Sequence, residues 1–122
     1  MKNHPLGFQC VKVVALSVTD LDRANEFYSQ TLSLPLAYLG DLHAGYHLDQ
    51  IILMLKPDWY APPTDQPNPR LTIEVDHAPD TESALRERGV TISDPVELAD
   101  DQFLIGSFLD SEGNKLWFCS QI

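Results

Sequence analysis

Residues 11–34 read VKVVALSVTDLDRANEFYSQTLSL, and the stretch changes its period halfway. Val11 to Val18 is a β-branched run of the kind that forms a strand. Asp20 follows as an N-cap, its short carboxylate suited to the first free N–H groups of a helix. Beyond it Leu21, Ala24, Phe27, Tyr28 and Leu32 recur at helical spacing. Pro35 ends that helix, because it has no backbone N–H to continue it. Three short strand-like runs come next: LAYL at 36–39, GYHL at 45–48 and IILML at 51–55.

The same order then returns. LTIEV at 71–75 reads as a strand, and Pro79 opens a helix that closes at Arg88 with Gly89 as its cap. After it come TI at 91–92 with VEL at 96–98, FLIGSFL at 103–109 and KLWFCS at 115–120. A shift of 57 residues lays Val18 on Val75, Phe27 on Ala84 and Tyr28 on Leu85. Identity between the halves is low; the order of elements carries the repeat. Between them PDWYAPPTDQPNP, residues 57–69, holds five prolines, a density that neither a helix interior nor a central strand tolerates. The expected fold is α+β, a single domain over 1–122 made of two βαβββ units, 1–56 and 70–122, joined by this connector. One four-stranded half leaves a sheet face uncovered. The two units are therefore expected to pair into an open, U-shaped eight-stranded sheet around a concave cavity.

Composition narrows the partners. The chain has 122 residues and a formal net charge of −10, with its excess acid concentrated after the connector. A field of that sign repels nucleic acid and anionic lipid. Cys10 and Cys119 match neither a disulfide framework nor a zinc motif, and read as two thiols in a reducing compartment. The run from Cys10 to Val18, broken by Lys12, lacks a signal-peptide pattern, and no segment has the length of a membrane span. A cytoplasmic protein is expected, with no nucleic-acid or membrane partner.

Alternation assigns the strand faces. Val14, Leu16 and Val18 should meet the first helix, leaving Val11, Val13, Ala15 and Ser17 opposite. Ile51, Leu53 and Leu55 oppose Ile52, Met54 and Lys56; Leu71, Ile73 and Val75 oppose Arg70, Thr72 and Glu74; Leu116 and Phe118 oppose Lys115, Trp117 and Cys119. The second set of each strand is more mixed, which suits the wall of a ligand cavity. Packing alone would equally account for Met54 and Trp117.

The two βαβββ units, the VTDLDRANEFYSQTLSL lead-in at 18–34 and the FLDSEGN turn at 108–114 together resemble the vicinal oxygen chelate superfamily. That group includes glyoxalase I, extradiol dioxygenases, and fosfomycin- and bleomycin-resistance proteins. The resemblance covers essentially the whole chain; Ser111 stands where the turn usually has proline. Metal-using members place His or Gln on the first strand of each unit and Glu on the last. The resemblance puts those four positions at Val13, Met54, Arg70 and Trp117. A hard or borderline divalent ion needs oxygen or imidazole donors, which Val and Trp lack; Met54 is a soft thioether, and Arg70 brings a fixed positive charge. No cofactor is expected. The donors left for a rebuilt metal site are His43, His47, His77 and Glu74, with Gly40 and Gly45 suggesting a turn around the first two.

The resemblance therefore implies a metal-free, small-molecule-binding protein of the bleomycin-resistance type, a homodimer that sequesters a drug or metabolite. Val13, Met54, Arg70, Thr72, Glu74 and Trp117 would line the cavity, with Tyr46 and Phe108 stacking on a planar ligand beside Trp117. Trp59 and Tyr60, in the connector, would close over it. The alternative is an enzyme, a lyase, isomerase or dioxygenase type with a non-standard or rebuilt metal site. In that case Glu74 is the candidate general base and Arg70 the group that steadies an oxyanion. An ion pair between Glu74 and Arg70 is the structural alternative for both.

Overall fold

The computed structural model describes residues 4–7, 9–59, 61–67 and 69–122. The chain divides into two compact units, Met1–Trp59 and Tyr60–Ile122. All eight expected strands are present, four in each of two sheets, with one helical segment per unit.

In the first unit β1 (Val13–Ser17) leads into α1 (Leu21–Glu26), which continues as a π-helical turn at Phe27–Thr31. Asp20 caps the helix as its sequence position implies: Oδ1 accepts from Arg23 N at 3.0 Å. The π turn is the wider ring closed by Leu32 N and Phe27 O at 2.9 Å. Ser33, at φ 58, then turns the chain out of the helix ahead of Pro35. Strands β2 (Leu36–Leu39), β3 (Leu42–Leu48) and β4 (Ile51–Lys56) follow. The sheet order is β1-β4-β3-β2, with β1 and β4 parallel. Ala24, Tyr28, Val18, Tyr46, Leu53 and Leu55 are buried, forming the helix-side core. Tyr28 and Tyr46 stack at 6.1 Å between centroids, and the Tyr46 hydroxyl donates to Asn25 Oδ1 at 2.7 Å. Burial of its hydroxyl pushes the Tyr46 phenol up from its ordinary value.

The second unit repeats the plan. Its elements are β5 (Thr72–Glu74), α2 (Ala78–Glu87), β6 (Ile92–Ala99), β7 (Phe103–Leu109) and β8 (Lys115–Gln121). They stand in the order β5-β8-β7-β6, and β5 runs parallel to β8. Leu85, Val90, Phe108, Leu116 and Phe118 are buried. The N-terminus of α2 is satisfied from the sheet: Ala78 N donates to Ser120 Oγ at 2.8 Å. The expected short runs at 91–92 and 96–98 are instead one strand, β6, with register shifts on both sides of Asp94. Pro95 lacks a donor, but β6 is an edge strand, where that loss is tolerated. Side chains take up the neighbouring donors: Asp94 N bonds Ser107 Oγ at 3.0 Å, and Val96 N bonds Glu82 Oε1 at 2.7 Å.

The FLDSEGN stretch is the β7–β8 turn. Asp110 Oδ1 accepts from Glu112 N at 2.9 Å and Asn114 N at 2.8 Å, and Asn114 Nδ2 donates to Asp110 Oδ2 at 3.0 Å. Gly113, at φ 93, supplies the backbone conformation that most side chains resist. Asn114 Oδ1 also accepts from Thr64 N at 3.0 Å, tying the connector to the turn.

Candidate functional site

Trp117 sits in the middle of β8, on the face away from α2. Its lateral partners are Thr72 on β5 and Ser107 on β7, and Ser107 in turn pairs with Asp94 on β6. These four residues make a row across the sheet. Trp117 N bonds Leu71 O at 3.0 Å, which anchors the strand segment entered from Arg70. The Arg70 guanidinium carbon lies 3.9 Å from the Trp117 ring centroid, a close cation–π contact, and Lys115 Nζ lies 5.2 Å from it. The indole thus carries a guanidinium on its ring rather than an open face. Arg70 is exposed where Trp117 is half-buried, so it is the more accessible member of the pair.

The two cations differ in their company. Lys115 Nζ is 2.8 Å from Asp94 Oδ2, which also accepts from the fully buried Ser107 hydroxyl. The bond from Lys115, and next that from Ser107, hold the Asp94 carboxyl below the usual aspartate range. Arg70 makes no ion pair among the described residues. The expected pairing with Glu74 is not formed; the guanidinium lies on Trp117 instead. Glu74 borders a depression of about 510 Å³ at the β5–α2 junction, together with Asp76, His77, Asp80 and Thr81.

Val13 and Met54 pack against a buried cluster of Ala37, Ala44 and Ile52, on the face of the first sheet away from α1. Val13 and Met54 thus share one face in the first unit, and Arg70 lies on Trp117 in the second. Their donor chemistry does not fit a divalent ion.

Two residues expected to stack on a ligand, Tyr46 and Phe108, lie on the opposite faces of their sheets. Tyr46 pairs with Leu53 and is buried with Tyr28, and Phe108 pairs with Leu116 and lies 6.1 Å from Phe118. Both belong to the helix-side cores, because pairing with a core residue puts them on its face. His47 lies on β3, as the strand-like run at 45–48 implied, and β3 extends back through His43, where Gly40 and Gly45 had suggested a turn. A register shift opposite Ala37 and Tyr38 separates the two imidazoles. His43 lies 5.6 Å from Tyr38 and 5.4 Å from Tyr46, and its Nε2 donates to Gly45 O at 3.0 Å. His47 pairs with Ile52 on the other face. His77 stands exposed at the N-cap of α2, far along the chain from both. Among the described residues no three His, Cys, Asp or Glu side chains are placed to hold a metal ion. Trp59 is exposed, and Tyr60 lies outside the described residues.

Sequence reasoning passed over Ser107 and Asp94. The signal for Ser107 was available: a hairpin centred on Glu112 that pairs Phe108 with Leu116 must also pair Ser107 with Trp117. Asp94 carried none, since its placement depends on the irregular edge of β6.

Several solved structures share this fold. TnmS3, an antibiotic binding protein from Streptomyces sp. CB03234, superposes with a TM-score of 0.76 at 19% identity, over 95% of this chain and 98% of its own. A putative glyoxalase family protein from Bacillus anthracis gives 0.78 at 14% identity, over 100% of both chains. Lactoylglutathione lyase from Agrobacterium tumefaciens gives 0.71 at 15% identity, covering 93% and 95%. Among curated proteins none matches the chain in sequence. At such identities the likeness is one of fold. No described helix is long and apolar enough to cross a membrane. The sequence pattern of one family matches residues 11–118, nearly the whole chain, and on that ground the protein belongs to the Glyoxalase/Bleomycin resistance protein/Dioxygenase superfamily.

Proposed function

We propose that this protein binds a small organic molecule without the help of a metal ion, and that binding rather than turnover is its activity. The observation that carries this reading is the Arg70–Trp117 stack, 3.9 Å from guanidinium carbon to ring centroid. The two positions at which the resemblance expects metal ligands in the second unit hold a preformed recognition pair. In the second unit Thr72 and Glu74 flank Trp117 and Cys119 on β5, beside that pair. A surface of this kind recognises by shape, stacking and a few polar contacts. The antibiotic-binding description of TnmS3, a protein of like fold, is in keeping with sequestration of a drug or metabolite. The proposal extends to a cytoplasmic homodimer; sedimentation equilibrium tests the dimer and cell fractionation the location.

Two measurements test the binding role. Elemental mass spectrometry of gently purified protein, before and after incubation with divalent ions, should show no stoichiometric metal. A library of planar aromatic compounds should yield ligands that alter Trp117 fluorescence, and Trp117→Ala should weaken the best of them by about 1–3 kcal/mol. A stoichiometric metal, or affinity unchanged in Trp117→Ala, would sink this reading. Metal uptake would turn attention to a lyase, isomerase or dioxygenase with ligands drawn from His43, His47, His77 and Glu74.

A further inference from the structure

The geometry points to an oxyanion, a carboxylate or a phosphate on an organic molecule, as the group that Arg70 receives; we infer that the ligand of this protein is an organic anion. The inference rests on the binding role proposed above and adds the chemical class of what is bound. Four observations on the second unit support it. Arg70 is exposed, and among the described residues no carboxylate forms an ion pair with it. Its stem and plane are nevertheless steadied, because the guanidinium lies on the Trp117 ring at 3.9 Å. A cation–π contact of this kind uses none of the N–H donors for an acceptor oxygen, so they remain for a bidentate oxyanion.

No ion pair occupies that edge among the described residues, although Arg70 does help to hold the Asp94 carboxyl low. Asp94 is engaged by Lys115 at 2.8 Å and by the Ser107 hydroxyl. Lys115 and Arg70 both feel the Asp94 carboxylate, Lys115 through the direct bond, and the three groups together keep one net positive charge. Thr72, beside Trp117 in the sheet and exposed, adds a hydroxyl donor on the same face. A cationic ligand, which the overall charge of −10 would suggest, meets that net positive charge at this place. The overall field in fact opposes anions, so a preference for an anion has to come from a local group.

A matched set of naphthalenes separates the possibilities: 1-naphthoate, 1-naphthyl phosphate, 1-naphthamide and 1-naphthylmethylammonium. Each is titrated into the full-length ¹⁵N-labelled protein. The indole N–H of Trp117, distinguished from that of Trp59 by Trp59→Phe, and the Arg70 Nε–H report binding at the stack. The expected result is that naphthoate, naphthyl phosphate or both bind at least about tenfold more tightly than naphthamide, the usual gain from a charge-assisted pair. The tighter of the two identifies the oxyanion. Arg70→Gln should remove that preference and Arg70→Lys should keep part of it, while Arg86→Gln, on the exposed side of α2, should keep all of it. Thermal melting checks that each variant is folded. Naphthamide or the ammonium binding as tightly as both anions would overturn the inference while leaving the binding role intact. So would a preference that survives Arg70→Gln. If none of the four moves the Trp117 or Arg70 signals, the binding role falls, and this inference with it.

Discussion

At Gly45 the backbone runs at φ 154, and a Cβ built there would lie 2.0 Å from the Leu53 carbonyl oxygen. Neither atom is the end of a flexible side chain, so the strand pair itself would have to part. Gly45→Ala should cost more than about 3 kcal/mol or prevent folding, a loss at the upper end for single substitutions. Urea denaturation measures it; a midpoint close to that of the unchanged protein would refute the close approach. In the sequence this glycine fits both the start of the strand-like run at 45–48 and a turn, because glycine's meaning depends on which strand lies across from it. Trp117 was legible in the opposite way: its place on β8 followed from alternation with Leu116 and Phe118. What alternation omitted was the guanidinium on its ring, since Arg70 lies just ahead of β5, 47 residues earlier in the chain.

Among the elements, the β7–β8 turn shows a motif acting structurally. Asp110 and Asn114 are buried at 6% and 5% exposure, and their side chains bond to each other, to turn N–H groups and to Thr64 of the connector. They hold the hairpin that sets Trp117 and Ser107 side by side. Asp110→Ala leaves two backbone donors and the Asn114 amide without their acceptor, and should cost about 1–3 kcal/mol. Thermal or urea unfolding measures that cost; a change within experimental error would mean the turn is held by its backbone alone. The turn's sequence was readable because a short acid, a glycine and an asparagine have few other arrangements in common. The continuous course of the edge strand β6 between its two expected runs was not. Its donors are met by Glu82 and Ser107 from other elements, and no local pattern announces such partners.

For the molecule as a whole, the acid limb of stability follows from two carboxylates. Asp94 is held below its ordinary value chiefly by Lys115, and Glu82 chiefly by the Val96 N–H. A depressed carboxyl contributes stability that is fully present above its unfolded value, roughly 4, and is lost as pH falls through the folded value. Stability should therefore decline as pH drops below about 4. Asp94→Asn should show a shallower decline over that range, compared by urea midpoints at a series of pH values. Parallel curves for the two proteins would show that the Lys115 bond contributes nothing to this limb.

The sequence by itself determined the α+β class, the eight strands, the repeat of βαβββ order and the strand faces that place Val13, Met54, Thr72 and Trp117. Those features depend on period and turn chemistry, which act between residues close along the chain. Only the tertiary structure decided which long-range partners each side chain takes. It set Arg70 on Trp117 rather than beside Glu74, gave Lys115 to Asp94, buried Tyr46 and Phe108 in the helix-side cores, and parted His43 from His47 through a register shift. Such choices turn on strand register and on competition among several possible partners, and a one-residue slip reverses every face.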